Sequence, residues 1–124
     1  MATNETEMRP AAIKPVVEIG AFDKLDIRVG TILDVGEIEG SRTLMRLRVD
    51  FGDHQRTILA GLKNERENPN EIIGRQTLFL VNLEPKRMMG LVSEGMLIDV
   101  GYPDGIQPVL TIPEERVPDG TRAG

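Results

Sequence analysis

The sequence predicts an all-β domain, a five-stranded Greek-key barrel with a short helical insertion between strands 3 and 4. Three observations carry that expectation. Apolar residues recur at every second position over short runs, the period of a half-buried strand. The runs are separated by Gly, Pro, Asn and Asp, which punctuate turns. One longer polar stretch, Lys63 to Ile73, interrupts the series after the third run.

The first strand begins at Ile27. Ile27, Val29, Thr31, Leu33 and Val35 alternate with Arg28, Gly30, Ile32 and Asp34, and Gly30 suits a bulge or bend. Gly36 and Gly40 mark a break. Met45, Leu47, Val49 and Phe51 then make one face of a second strand, with Arg46, Arg48 and Asp50 on the other. Gly52-Asp53-His54-Gln55 is a turn, and Arg56 to Gly61 returns as the third strand of a hairpin. Lys63 to Ile73, with Pro69 inside it, predicts two short helical turns, with Asn68 or Asn70 available as a cap and Gly74 as the stop. Gln76 to Leu83 is the fourth strand and Met96 to Val100 the fifth. Val109 to Ile112 forms a short final strand in a tail broken by Pro103, Pro108, Pro113 and Pro118. This order fits a barrel of the oligonucleotide/oligosaccharide-binding type, the OB-fold; an open sandwich gives a similar string, and periodicity leaves closure open. Residues 1–17 are expected to be a flexible tail, and the segment Val16-Val17-Glu18-Ile19 at its end is apolar enough to pack on the domain or on a partner subunit. Residues 18–124 are expected to form the domain, with a loop-rich C-terminal extension.

The 124 residues suit one small domain with a modest core. The chain has no cysteine, which excludes disulfides and thiolate metal sites. With no tryptophan, one tyrosine and three phenylalanines, the core is expected to be aliphatic. No metal-ligand spacing and no phosphate-cradling Gly-rich loop occurs. The sole histidine, His54, sits beside Asp53 in a hairpin turn, where a solvated residue is the ordinary reading. Ser93-Glu94 lacks a relay partner nearby in sequence. A binding module is therefore expected, with no enzyme activity, no cofactor and no metal. No apolar run approaches a membrane span and no long apolar leader opens the chain, so the cytoplasm is the default location. The net charge is -5, but residues 40–96 hold nine Lys/Arg against seven Asp/Glu. Phosphate binding follows the local field, so a modest, structure-dependent nucleic-acid binder is compatible with this balance.

The most informative stretch is 78–96. An apolar run, Leu78 to Val81, stops at Asn82, turns at Pro85, presents Lys86 and Arg87, and passes through Met88, Met89, Ser93, Glu94 and Met96 into the fifth strand. Two cations, an amide, a hydroxyl and flexible thioethers cluster around one turn, a surface suited to a phosphate backbone and the bases beside it. Lys86 and Arg87 fit solvated turn charges equally well on composition alone. Arg42, Arg46 and Arg48 are a second basic group, and Arg46 and Arg48 share a strand face that suits solvent or a ligand. Phe22, Phe51 and Phe79 fall in apolar patterns, so an aromatic stacking platform is not expected; shape and phosphate recognition of folded RNA fits better.

These residues carry a family likeness. Phe22-Asp23-Lys24-Leu25-Asp26-Ile27-Arg28-Val29-Gly30 resembles the opening signature of the tRNA-binding domain family. Leu47 to Gly52, Ile58 to Leu62, Asn82 to Gly90 and Ser93-Glu94-Gly95-Met96 resemble its later signatures, in order. The likeness runs from about Ile19 to Gly124. The family includes the C-terminal domain of methionyl-tRNA synthetases and free-standing dimeric tRNA-binding proteins. The resemblance implies an OB barrel that grips tRNA by shape, homodimerisation through segments outside the barrel, and a possible working partner in an aminoacyl-tRNA synthetase. It carries RNA-binding roles to Arg28, Asn82, Lys86, Arg87, Ser93, Glu94 and Met96.

The chain departs from the family in two places. Ser41-Arg42-Thr43 replaces a common Ala-Asp-Lys, so Arg42 partly substitutes for a lysine that can contact RNA. No aromatic residue stands among Asn64 to Asn68. Both changes are expected to weaken tRNA binding. A related branch of dimeric protein-export chaperones binds unfolded polypeptides on the same barrel and is the alternative reading; Ala60-Gly61 and Gly95-Met96 favour the tRNA branch.

Overall fold

A computed structural model describes residues 9–124. The first eight residues of the expected flexible tail lie outside the described residues. Residues 9–18 have no regular secondary structure and are exposed, and a five-residue helix follows, α1 (Ile19–Asp23), with no buried residue. The rest is mostly β, a curled sheet with little helix.

Nine strands follow α1: β1 (Ile27–Glu37), β2 (Met45–Asp50), β3 (Gln55–Ala60), β4 (Gln76–Leu80), β5 (Lys86–Met88), β6 (Leu91–Ser93), β7 (Met96–Val100), β8 (Val109–Leu110) and β9 (Arg122–Ala123). The main sheet runs β3-β2-β1-β4-β7-β8, with β9 beside β1, and β5 and β6 form a separate ribbon. The long β1 shapes the curl. Its first half, Ile27 to Thr31, pairs with β4, and from Thr31 onward it pairs with β2. β9 covers Ile27 and Arg28 on the edge that β2 takes farther along.

β1 corrects the expected alternation. The register with β2 shifts between Ile32 and Asp34. Leu33 is the extra residue of this bulge and faces out, 40% exposed, whereas Ile32 is fully buried. A bulge slips the phase by one residue, so the inward set before it is not the inward set after it. Gly30, the expected bend, instead makes room for the core. A Cβ there would stand 2.6 Å from Val49 Cγ1 and 2.8 Å from Phe51 Cε1.

The core joins Ile32, Val35, Met45, Leu47, Val49, Ile58, Leu62, Ile72 and Leu97 with two aromatics, Phe51 and Phe79, so it is not purely aliphatic. Their rings meet edge to face, centroids 5.5 Å apart. The expected helical insertion is one short 3-10 turn, Pro69–Ile72, which drops the fully buried Ile72 into the core; Asn68 precedes it without a side-chain cap. Gly74, at φ +88°, ends it.

Side chains hold the proline-punctuated tail. Gln76 Nε2 donates to Val117 O at 2.6 Å, Thr31 Oγ1 donates to Asp119 Oδ1 at 2.6 Å, and Thr111 Oγ1 donates to Ile98 O at 2.7 Å. Asp99 on β7 is half-buried, and burial pushes its carboxyl above the ordinary value of 3.8. A carboxyl with a raised folded-state value opposes folding once pH exceeds its unfolded value, because the folded chain then holds the proton more tightly. Asp99→Asn is therefore expected to raise the thermal midpoint at pH 7. The gain over wild type should shrink as pH falls and vanish below about 3.8, where both states are protonated. Thermal melts across that range check this.

Candidate nucleic-acid interface

Two connections meet at one end of the sheet. The β1–β2 loop carries Arg42 and the β4–β7 connection carries the β5–β6 ribbon. Contact between them is direct, since a Cβ on Gly40 would stand 3.4 Å from Met89 Cε at the ribbon's tip. Met89-Gly90 forms that tip with φ of +52° and +79°, a two-residue turn whose twist suits a hairpin. Met89 is the one non-glycine with positive φ among the described residues, and it is 48% exposed.

Lys86 pairs with Ser93 and Arg87 with Val92 across the ribbon, so the two cations stand on its opposite faces. Both are exposed, as is Arg42. Among the described residues, none of the three enters an ion pair, whereas Arg28, Arg46, Lys63, Arg66 and Arg122 all do. Unpaired, exposed cations keep their field for an outside ligand. Leu83, Met89, Val92 and Met96 add exposed apolar surface around them.

The other residues singled out in the sequence make bonds within the chain. Asn82 Oδ1 accepts from the Asp26 N–H at 2.8 Å, and its Nδ2 donates to Lys24 O at 2.7 Å. Ser93 is buried; its Oγ accepts from the Leu59 N–H at 3.0 Å and donates to Gly95 O. Glu94 meets Thr57 twice, its N–H donating to Thr57 O at 2.8 Å and its Oε1 accepting from the Thr57 N–H at 3.0 Å. These bonds satisfy the free edge of β3. Arg28 Nε donates to Asp26 Oδ1 at 2.8 Å, and its Nη1 reaches Gly120 O. The Arg28 hydrogen bond holds the Asp26 carboxyl below its ordinary range; burial opposes it, and a further hydrogen bond from Arg122 adds to the lowering. Asn82, Ser93 and Glu94 thus frame the ribbon and Arg28 braces Asp26, to which Asn82 is tied, while Arg42, Lys86, Arg87 and Met96 remain open to solvent.

Sequence reasoning passed over two residues here. Lys63 Nζ donates to Ser41 O at 3.0 Å and pairs with Glu37 at 3.1 Å, pinning the β1–β2 loop. Arg56 bonds both strands at the neck of the ribbon: Nη1 donates to Val81 O at 2.6 Å and to Glu94 O at 3.0 Å. Its Nε donates to His54 Nε2 at 2.9 Å, so the imidazole proton sits on Nδ1, facing Asp53 Oδ1 at 2.7 Å. The His54 contact, chiefly its hydrogen bond, keeps the Asp53 carboxyl below its ordinary range. Only the position of Arg56 at the start of a strand was legible beforehand. Among the described residues, no three His, Asp or Glu side chains gather as a metal site would need, and no helix is long and apolar enough to cross a membrane.

Residues 27–122 match the family described as a putative tRNA binding domain. The chain belongs to this family. Other members enclose the same domain in a larger protein. Methionine–tRNA ligase of Parabacteroides distasonis is 37% identical over 120 residues, covering 97% of this chain and 17% of the ligase. That of Methanothrix thermoacetophila is 42% identical over 107 residues, covering 86% of this chain and 15% of the ligase. This tRNA-binding domain chain thus spans about a sixth of the length of the curated relatives it matches. Among solved structures, a MetRS-related protein from Pyrococcus horikoshii superposes with a TM-score of 0.82 at 32% identity, covering 90% of this chain and all of that one. The chaperone CsaA of Bacillus anthracis superposes with a TM-score of 0.76 at 32% identity, covering 89% of this chain and all of its own.

Proposed function

We propose that this chain is a non-catalytic, structure-specific tRNA-binding protein, and that Arg42, Lys86 and Arg87 grip the tRNA phosphate backbone. One observation carries the reading beyond family membership. In a chain of net charge -5, three exposed cations with no carboxylate partner among the described residues come from two loops in contact. These are the connections with which OB barrels bind oligonucleotides, and the reading takes the curled sheet as such a Greek-key barrel, closed where Ser93 and Glu94 meet β3. Arg28, Asn82, Ser93 and Glu94 act in it as the frame, and Met96 as adaptable surface beside the RNA.

The methionine–tRNA ligase relatives support a role in presenting tRNA to an aminoacyl-tRNA synthetase, with the cytoplasm as the place of action. A homodimer belongs to the same reading. Ile13 and Val16 are each 98% exposed, and α1, too short to be stable by itself, exposes Ile19 and Phe22. A second copy laid on residues 9–25 would cover that apolar strip.

Fluorescence anisotropy of labelled tRNA, at low and high salt and with an unfolded polypeptide as competitor, tests the reading. Salt-sensitive binding that the polypeptide does not displace is the expected result. Absence of binding at low salt, or displacement by the polypeptide, would overturn it. The latter would favour a chaperone, the reading that the exposed Leu83, Met89, Val92 and Met96 and the CsaA neighbour support.

A further inference from the structure

We propose that Arg56 is a positioning residue that sets the angle at which the cationic β5–β6 ribbon leaves the sheet, without itself touching the RNA; the inference rests on the tRNA-binding reading. The ribbon shares no backbone ladder with the main sheet, so its orientation is decided at its neck. Val81 enters that neck and Glu94 leaves it. Asn82 ties the entering strand to Lys24 and Asp26, while Ser93 and Glu94 tie the leaving strand to β3. Arg56 is the one side chain among the described residues that bonds to both, through a single nitrogen shared by the Val81 and Glu94 carbonyls.

The guanidinium is fixed in turn from its other sides. Nε donates to His54 Nε2, and the group lies over the Phe51 ring, 5.9 Å from its centroid. His54 stacks on that same ring at 5.6 Å, and Phe51 is anchored in the core against Phe79. A planar fork with donors in set directions can hold two carbonyls and an imidazole together; the point charge of lysine cannot. Nε and Nη1 are both committed to partners within the chain and the residue is half-buried, whereas Lys86 and Arg87 are exposed and commit no donor.

Arg56→Gln and Arg56→Lys separate a clamp from an RNA contact and from a general stabiliser. A loosened ribbon presents Lys86 and Arg87 correctly for only part of the time, and apparent affinity falls by that fraction, roughly fivefold for a ribbon competent a fifth of the time. The slope of log affinity against log salt should stay at the wild-type value, because no phosphate contact is removed. Amide hydrogen exchange in the free protein should quicken over residues 82–93 and stay unchanged in β1, β2 and β4. Arg56→Lys keeps the charge and gives the same exchange pattern should Arg56→Gln fail to fold. A slope lowered by about one unit in Arg56→Gln would make Arg56 a phosphate contact and overturn the proposal. Faster exchange throughout the sheet, or unchanged exchange over 82–93, would overturn it as well. The exchange measurement needs no RNA, so it reads the clamp even if the wild-type protein fails to bind tRNA, an outcome that would sink the functional reading instead.

Discussion

Replacing Lys86 and Arg87 together by alanine is expected to lower the salt dependence of tRNA binding by roughly two units of slope, and with it the affinity at physiological salt. Each phosphate neutralised by a cation releases condensed counterions, so each contact removed takes about one unit from the slope. The folded state should barely register the change. Both side chains are exposed and neither is hydrogen-bonded within the described chain, and such surface substitutions stay within about 0.5 kcal/mol. The pair stands on the two faces of a narrow ribbon, so one tRNA strand can be held from both sides of the hairpin. Filter binding or anisotropy across a salt series, with a denaturant melt alongside, gives both numbers. An unchanged slope with unchanged stability would remove the ribbon from the interface.

Phe79→Ala should have the largest effect on stability. The side chain is fully buried at the centre of the core, and truncating a buried phenylalanine costs about 3–5 kcal/mol. A domain of this size has about 5–15 kcal/mol in all, so a large share of its stability depends on this ring. The damage reaches the interface by a traceable route. Phe79 supports Phe51, Phe51 supports His54 and the Arg56 guanidinium, and Arg56 holds the ribbon's neck. Urea unfolding followed by circular dichroism should show a lower midpoint. A loss below about 1 kcal/mol would mean that the core collapses around the gap, and that the ring is not the support described.

How legible all this was in the sequence depends on how local the cause is. β2, β3, β4 and β7 lie on the predicted runs because period-two alternation is written in adjacent residues. β1 was found, but Ile32 and Leu33 were assigned to the wrong faces, because a bulge moves the pattern by one residue and leaves no mark of its own. β5 and β6, three residues each, are too short to show a period, and their charged and apolar residues read as a turn. β9 is held by pairing with β1 and by the Arg122–Asp26 ion pair, both of which reach to the far end of the chain. The same rule governs the interface. The cations Lys86 and Arg87 stand out in a turn signature, whereas Asn82 and Ser93 are tied to Asp26 and Leu59, more than thirty residues away. Long-range hydrogen bonds thus separate the residues that frame the ribbon from those open to a ligand, and no local pattern could have done so.

In the proposed complex, tRNA lies across the β1–β2 loop and the β5–β6 ribbon. Amide chemical-shift mapping of the isotope-labelled protein, titrated with tRNA, tests it most directly. Shifts and broadening concentrated at residues 38–44 and 82–96, with β8 and the Pro113–Pro118 tail undisturbed, are the predicted result. Perturbation centred on the tail or on residues 9–25, with the ribbon silent, would contradict it.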